Sequence, residues 1–408
     1  MRKSSYSPLL FVKEKKLKRK RWIWPFCLFP LLLLLVPVVW ITYRLLTQDF
    51  DPQYVRMPPP RPLRGALAAN RALEGATFIA EGELPGPESL IVEGDTIYTG
   101  TWDGRPVKLV NGTIERTIRL GENRTDCMDY ENEPKCGRPM GIRRLNGREF
   151  VVVDAYLGVF VVDFESGDSR LVLSPTTPID GLLPRFLNDV DVLDEETIFV
   201  SHSSTKFERS RFLHAFMEQQ PNGRLLEVNV TSGAVRVLLG GLRFPNGVQI
   251  HPDRQSVLVA ETSIARIKRF YFAGEWAGRS RWFAVNLPGY PDNLRLSPRG
   301  TLLVGLQNAR LPDRPQFVDL AGRFPFARRL LVAALPARFV KPAIGLFAPH
   351  YGLAVELDAE GTIVRSFHDP TGRISDISQV TEKDGHLYLG SFHDNFIARI
   401  PLNESDVS

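Results

Sequence analysis

The strongest constraint on this 408-residue chain is a unit that recurs six times. Each unit opens on a polar or small head residue, runs through a short alternating strand, and turns on Gly, Asp or Asn. It then continues into a second, more apolar strand. The units read Glu88-SLIVEGDTIYTG, Gly141-IRRLNGREFVVVDA, Asn188-DVDVLDEETIFVSH, Asn246-GVQIHPDRQSVLVAE, Asn293-LRLSPRGTLLVG and Ser378-QVTEKDGHLYLG, with 12 to 15 residues from head to end. Period-2 alternation bounded by turn residues marks strands. Six such units across roughly 320 residues, each with the strands that follow it about 50 residues, predict an all-β six-bladed β-propeller over residues 76–402. A β-sandwich is the other all-β reading, and it leaves the fixed phase of the head residues unexplained. The strand near Thr77–Leu84 has no unit of its own and is expected to join the last blade around Phe392–Leu402.

In a propeller the first strand of every blade starts at one rim of the central channel. Residues at equal phase therefore converge on the axis. The heads include Glu88, Asn188, Asn246, Asp292 and Asn293, which are two carboxylates and three amides. Hard oxygen donors of this kind suit Ca²⁺ or Mg²⁺, and the lack of soft ligands argues against zinc or copper. Asp189 adjoins the set and is a candidate ligand for a second cation. The plainer reading of each Asn or Asp is a turn cap; four units with oxygen donors at one phase favour the cation.

Two insertions break the pattern. Residues 205–220 read as helix or loop. Residues 306–346 are too long for a structureless connection and predict a helical lid, with a membrane-grazing role for its basic, apolar face as the alternative.

Ahead of the units, residues 22–43 carry no charge. As a helix they would rise about 33 Å, the apolar thickness of a bilayer. Residues 1–21 hold nine Lys/Arg against Glu14 alone, whereas the far side begins with Arg44, Asp49 and Asp51. The positive-inside bias predicts a single-pass type II signal anchor, with a basic cytoplasmic tail at 1–21 and the propeller lumenal or extracellular. The chain's net +5 comes from that tail; removing its +8 leaves the rest at −3. This is no nucleic-acid-binding surface. Residues 44–75, with Pro58, Pro59, Pro60 and Pro62, form a Pro-rich connector, either a semi-rigid stalk or a strap on the domain. Cys127 and Cys136, nine residues apart, would pair in an oxidising compartment. The sequons at Asn111, Asn123, Asn229 and Asn403 all lie beyond the apolar run, where glycosylation is open to them.

The strings CGRPMGI (136–142), FLNDV (186–190), RFPNGVQIHPDRQSVLVAETSIARI (243–267), LPGYPDNLRLSPRG (287–300) and KDGHLYLGSF (383–392) resemble the calcium-dependent six-bladed propellers of the strictosidine synthase-like, paraoxonase and gluconolactonase group. The resemblance implies a Ca²⁺ site whose five ligands match Glu88, Asn188, Asn246, Asp292 and Asn293. A second, structural cation would use Asp189, but the other carboxylate it needs falls on Ser89. The resemblance also implies hydrolysis of small-molecule esters or lactones, with departures. True strictosidine synthases condense an amine and an aldehyde with a last-blade glutamate, and that position is Ser378 here. Paraoxonases use a histidine pair in the early blades, and residues 88–173 contain no histidine. The general base would then be Asp292, Glu261, His202 or His393. The competing expectation is a non-enzymatic membrane receptor or scaffold with a structural cation.

Overall fold

A computed structural model of the chain describes residues 24–335, 339–340 and 349–402. It divides into two units, Met1–Gln48 and Asp49–Ser408. The first contains helix α1 (Trp24–Thr47), which overlaps the uncharged run. The basic tail, the start of that run and Asn403 lie outside the described residues. Among the described residues no helix is long and apolar enough to cross a membrane. The side chains that α1 does present include exposed Leu33, Val36, Val39 and Leu46.

The second unit is the predicted ring. Strand β1 (Thr77–Ile79) precedes the first complete meander, β2 (Leu90–Glu93), β3 (Thr96–Gly100), β4 (Pro106–Val110) and β5 (Thr113–Thr117). A short helix, α2 (Glu133–Cys136), leads into blade 2: β6 (Pro139–Arg144), β7 (Glu149–Asp154), β8 (Gly158–Asp163) and β9 (Ser169–Leu173). Blade 3 is β10 (Phe186–Val192), β11 (Thr197–Ser204), β12 (Gly223–Asn229) and β13 (Val235–Leu242), with α3 (Phe212–Glu218) between its two middle strands. Blade 4 is β14 (Pro245–Ile250), β15 (Ser256–Glu261), β16 (Arg266–Tyr271) and β17 (Ser280–Ala284). Blade 5 runs β18 (Gly289–Leu296) and β19 (Leu302–Ala309), then α4 (Phe317–Ala321) and α5 (Pro325–Ala334), then β20 (Gly352–Leu357) and β21 (Ile363–Asp369). Blade 6 is β22 (Ile377–Lys383), β23 (His386–Ser391), β24 (Ile397–Pro401) and β1. The pairing Thr77↔Arg399 to Ile79↔Ile397 closes the ring as expected.

Blades bury both faces of their strands against neighbouring blades. This is why the second strand of each unit reads as a continuous apolar run. Val151 and Val153 of β7 pack with Leu187, Val190, Ile198 and Val200 of blade 3 in one such wedge.

One open alternative is decided and one expectation is corrected. From Phe50 onward the Pro-rich connector is a strap on the ring, not a free stalk. Phe50, Met57, Leu67 and Leu73 are buried, and the backbone is tied by Gln53 N–H to Glu218 O (2.8 Å) and Val55 N–H to Gly322 O (2.9 Å). The lid begins later than residue 306, because Leu306–Ala309 complete β19. Its described helices are short, and their polar anchor is Arg310. This buried side chain bonds Asp319 of α4 (2.8 Å), Asn286 Oδ1 (2.8 Å) and the strap carbonyl of Pro58 (2.7 Å). Arg328 of α5, also buried, donates to the carbonyls of Met217 and Gln53. Strap, lid and α3 are thereby fastened to one another.

Candidate metal centre and pocket

Asn188, Asn246, Asp292 and Asn293 sit on breaks in strand register, and Glu88 stands just ahead of β2. The pairing shifts between Leu187 and Val190, between Pro245 and Val248, and between Pro291 and Leu294. An extra residue in one strand re-aims side chains. That is how neighbours such as Asp292 and Asn293, which a regular strand would send to opposite faces, can serve one site. A bulge also frees backbone groups, and hydroxyls from the adjacent blade take them up. Ser203 Oγ donates to Pro245 O (2.6 Å), Thr262 Oγ1 to Pro291 O (2.7 Å) and Ser378 Oγ to Glu88 O (2.7 Å). Gly247 lets the next blade pass close by: a Cβ there would lie 2.4 Å from Asp292 O.

Glu88, Asn188, Asn246 and Asp292 line one cavity of about 30 Å³, the room of roughly one water or ion. Asn293 is not on that wall, but its amide is buried beside it in sequence. Asn188 Nδ2 donates to Ser203 Oγ (3.1 Å), leaving Asn188 Oδ1 free. The oxygens Asn188 Oδ1, Asn246 Oδ1, Asp292 Oδ1 and Asn293 Oδ1 are all buried without a hydrogen-bond partner among the described residues. Several unsatisfied buried oxygens from three blades are costly unless a cation completes them. Among the described residues no three His, Cys, Asp or Glu side chains gather for a metal; the donors are instead two carboxylates and three amides, hard oxygens throughout. The residues therefore fit Ca²⁺.

The electrostatics agree. Burial raises the Asp292 carboxyl well above its ordinary range, and the charges of Glu88 and Asp189 raise it further. Burial also raises Glu88, against the pull of Arg138 and Arg209. Arg138, which sequence reasoning passed over inside CGRPMGI, is wholly buried. It donates to Glu88 Oε2 (2.9 Å) and Gly86 O (3.0 Å). It follows Cys136, which is paired with Cys127 as expected. The same loop carries buried Glu133, which meets Arg209 at 2.8 Å and accepts from Tyr156 Oη at 3.0 Å. The disulfide loop thus braces one side of the cage. A sequence signal existed for Arg138: an arginine flanked by Gly and Pro at a blade entry has few reasons to be there unless its charge is used.

Asp189 does not offer an open ligand. Both its oxygens accept from Arg295, correcting the expectation of a second cation. Burial would raise Asp189, but Arg295 and Arg143 outweigh it and hold the carboxyl below its ordinary value.

Two of the candidate bases are structural. Glu261 holds Arg266 (2.7 and 3.1 Å) and accepts the Arg243 N–H (2.8 Å). His202 is buried against Arg224, and burial, with that charge, pulls it down to about 3. His393 differs. It lines a cavity of about 400 Å³, with walls from Phe212, Phe216, Tyr290, Phe317 and Tyr351. Phe212, Gln307 and Phe392 line this cavity and the cage alike. Asp376 lies on the same wall. Burial raises its carboxyl against the nearby His393, and Asn308 Nδ2 holds it at 3.0 Å. Asn111 and Asn123 are exposed, while Asn229 is half-buried with Oδ1 engaged by Ser232.

A family model described as strictosidine synthase matches residues 188–275, and one described as strictosidine synthase-like, N-terminal, matches residues 65–109. The human adipocyte plasma membrane-associated protein is 41% identical over 360 residues, 88% of this chain and 85% of that protein. The Danio rerio protein of the same name is 37% identical over 373 residues, 91% of this chain and 88% of its own. Among solved structures, a Xanthomonas campestris gluconolactonase superposes with a TM-score of 0.53 at 15% identity, covering 88% of this chain and 99% of that one. A luciferin-regenerating enzyme does so with a TM-score of 0.50 at 11% identity, covering 80% and 95%. Both structural likenesses concern the fold.

Proposed function

The chain belongs to the adipocyte plasma membrane-associated protein family of strictosidine synthase-like propellers, and from that premise we propose that it is a membrane-held, calcium-dependent hydrolase of lipophilic aryl or alkyl esters or lactones. The observation that carries this reading is the shared wall between an oxygen cage and a deep aromatic pocket. A pocket of this size and lining matches those that bury small apolar ligands.

Glu88, Asn188, Asn246, Asp292 and Asn293 would hold the ion. When bound, Ca²⁺ supplies a Lewis acid for an ester carbonyl and acidifies a bound water. The protein's own groups do the rest. Phe212, Phe216, Phe317 and Tyr351 strip water from the apolar part of the substrate and aim its carbonyl toward Phe392 and Gln307. The Gln307 amide stands at that junction as a donor for a developing oxyanion. His393 takes a proton from the attacking water, and Asp376 steadies the imidazolium that results. With His202 and Glu261 committed elsewhere and Asp292 committed to the cage, His393 is the base this reading selects. The hydroxyl of Ser378, bonded to Glu88 O, does not replace a glutamate in amine–aldehyde condensation. The exposed apolar side chains of α1, and the name its relatives share, support attachment to a membrane; the basic excess of residues 1–21 favours a lumenal or extracellular propeller.

The test is hydrolysis of aryl acetates and medium-chain lactones by the full-length protein in detergent, with Asn246→Ala, Asp292→Ala and His393→Ala beside it. Calcium-dependent turnover that falls at least tenfold in each variant is expected. Equal rates in wild type and variants would leave a binding scaffold with a structural cation as the better account.

A further inference from the structure

A second group of buried charges ties the blades that also supply the cage. Ser89 follows Glu88, Asp189 follows Asn188, and Arg295 stands two positions after Asn293. All three side chains are buried. The Arg295 guanidinium grips Asp189 with both arms, Nη1 to Oδ2 at 2.8 Å and Nη2 to Oδ1 at 3.0 Å. The same Nη2 donates to Ser89 Oγ at 2.9 Å, and Nη1 to Leu294 O at 2.7 Å. Asp189 Oδ2 further accepts the Val248 N–H at 2.9 Å, and Ser89 Oγ contacts Gln379 Oε1 at 3.1 Å and the Ile142 N–H at 3.2 Å. Members of all six blades therefore meet around one guanidinium. Among the described residues, Arg295 Nε alone in this group lacks a partner.

The contrast with the cage is chemical. The cage leaves oxygens open and has no side-chain cation of its own on Asp292. Around Asp189 the carboxylate oxygens are filled, and its charge is balanced by a planar, permanently protonated fork. A divalent ion placed there would have to expel a buried guanidinium and leave it unpaired, a severe cost.

We propose that Arg295 is a built-in cation that takes the place of a second metal beside Asp189, so that the axis of this protein binds one divalent ion and not two. A covalently attached cation cannot be diluted or chelated. It clasps blades 1, 3 and 5 whatever the calcium concentration, and leaves the cage ion free to come and go without opening the channel. The inference stands apart from the hydrolase reading, because it concerns how many ions bind and not what they catalyse.

The test counts bound calcium on the full-length protein by metal analysis after equilibration and gel filtration. Wild type is expected to retain one ion, and Asn246→Ala none. The pair Ser89→Asp/Arg295→Ala puts two carboxylates across the vacated volume, and is expected to retain one ion more than wild type, including on an Asn246→Ala background. Two channel ions in wild type, or one that survives Asn246→Ala, would overturn the proposal. That outcome is read from wild type and the single variant, so it stands even where the double variant fails to fold. Wild type with no ion would overturn the proposal as well, because the cage would then hold none.

Discussion

At the scale of single residues, the corner between the disulfide and the cage depends on Asp154. Its Oδ1 accepts the N–H groups of Tyr156 and Leu157, both at 2.9 Å. Its Oδ2 is buried without a partner among the described residues and faces Gly137, where a Cβ would come within 2.5 Å. Burial raises this carboxyl from 3.8 to about 6. Because the folded-state value lies above the unfolded one, the folded chain holds the proton more tightly between those limits. The group's favourable contribution is complete below about 3.8 and lost as pH rises through about 6. At neutral pH the penalty is at most about 3 kcal/mol. Asp154→Asn keeps the Oδ1 acceptor and never ionises. Its melting temperature relative to wild type is expected to rise between pH 4 and pH 8. A difference that does not change with pH would refute the assignment.

At the scale of elements, the register breaks mark the limit of what the sequence discloses. Continuous apolar runs bounded by turn residues mark the strands around Val151–Val153 and Val257–Val259, because packing between blades buries both of their faces. Glu88, Asn188 and Asn246, which share a phase in their units, line one small cavity. The pattern could not say how Asp292 and Asn293 are both buried, since a bulge depends on pairing with β19 and leaves only two consecutive polar residues as a trace. The strap was equally hidden. Phe50, Met57, Leu67 and Leu73 follow neither a strand nor a helix period, so Pro-rich sequence reads the same whether free or packed. Arg310 shows what holds the strap down. Arg310→Ala leaves Asp319, which also accepts from Tyr290 Oη at 2.8 Å, without its charge partner. Breaking a buried pair of this kind costs about 3–5 kcal/mol. Hydrogen exchange is expected to accelerate across residues 53–60 and 317–334 with the blades little changed, and unaltered protection there would contradict the fastening role.

For the whole molecule, the six-unit repeat gave the architecture because each blade must solve the same packing problem. The partners that fill the channel were less accessible, since Arg138 and Arg295 act on residues 50 and 106 positions away. The ring is joined by backbone ladders and inter-blade wedges, and a cation held in the cage would add to them. At calcium a hundredfold above its dissociation constant, binding contributes about 2.7 kcal/mol. Chelation is therefore expected to lower the melting temperature by several degrees while the far-ultraviolet spectrum at 25 °C keeps its β character. Unfolding at 25 °C on chelation would show that the ion, and not the Arg295 clasp, holds the channel together.

The pairing of β1 with β24 carries a consequence for how the protein is made. Thr77 meets Arg399 only after the last blade has been synthesised. At roughly 5–20 residues per second the first strand waits about 15–60 s for its partner. Throughout that interval the growing chain presents bare strand edges, which invite pairing with other chains. A ribosome that stops anywhere before Ile397 releases an open arc, so closure of the ring waits on the one short strand β24.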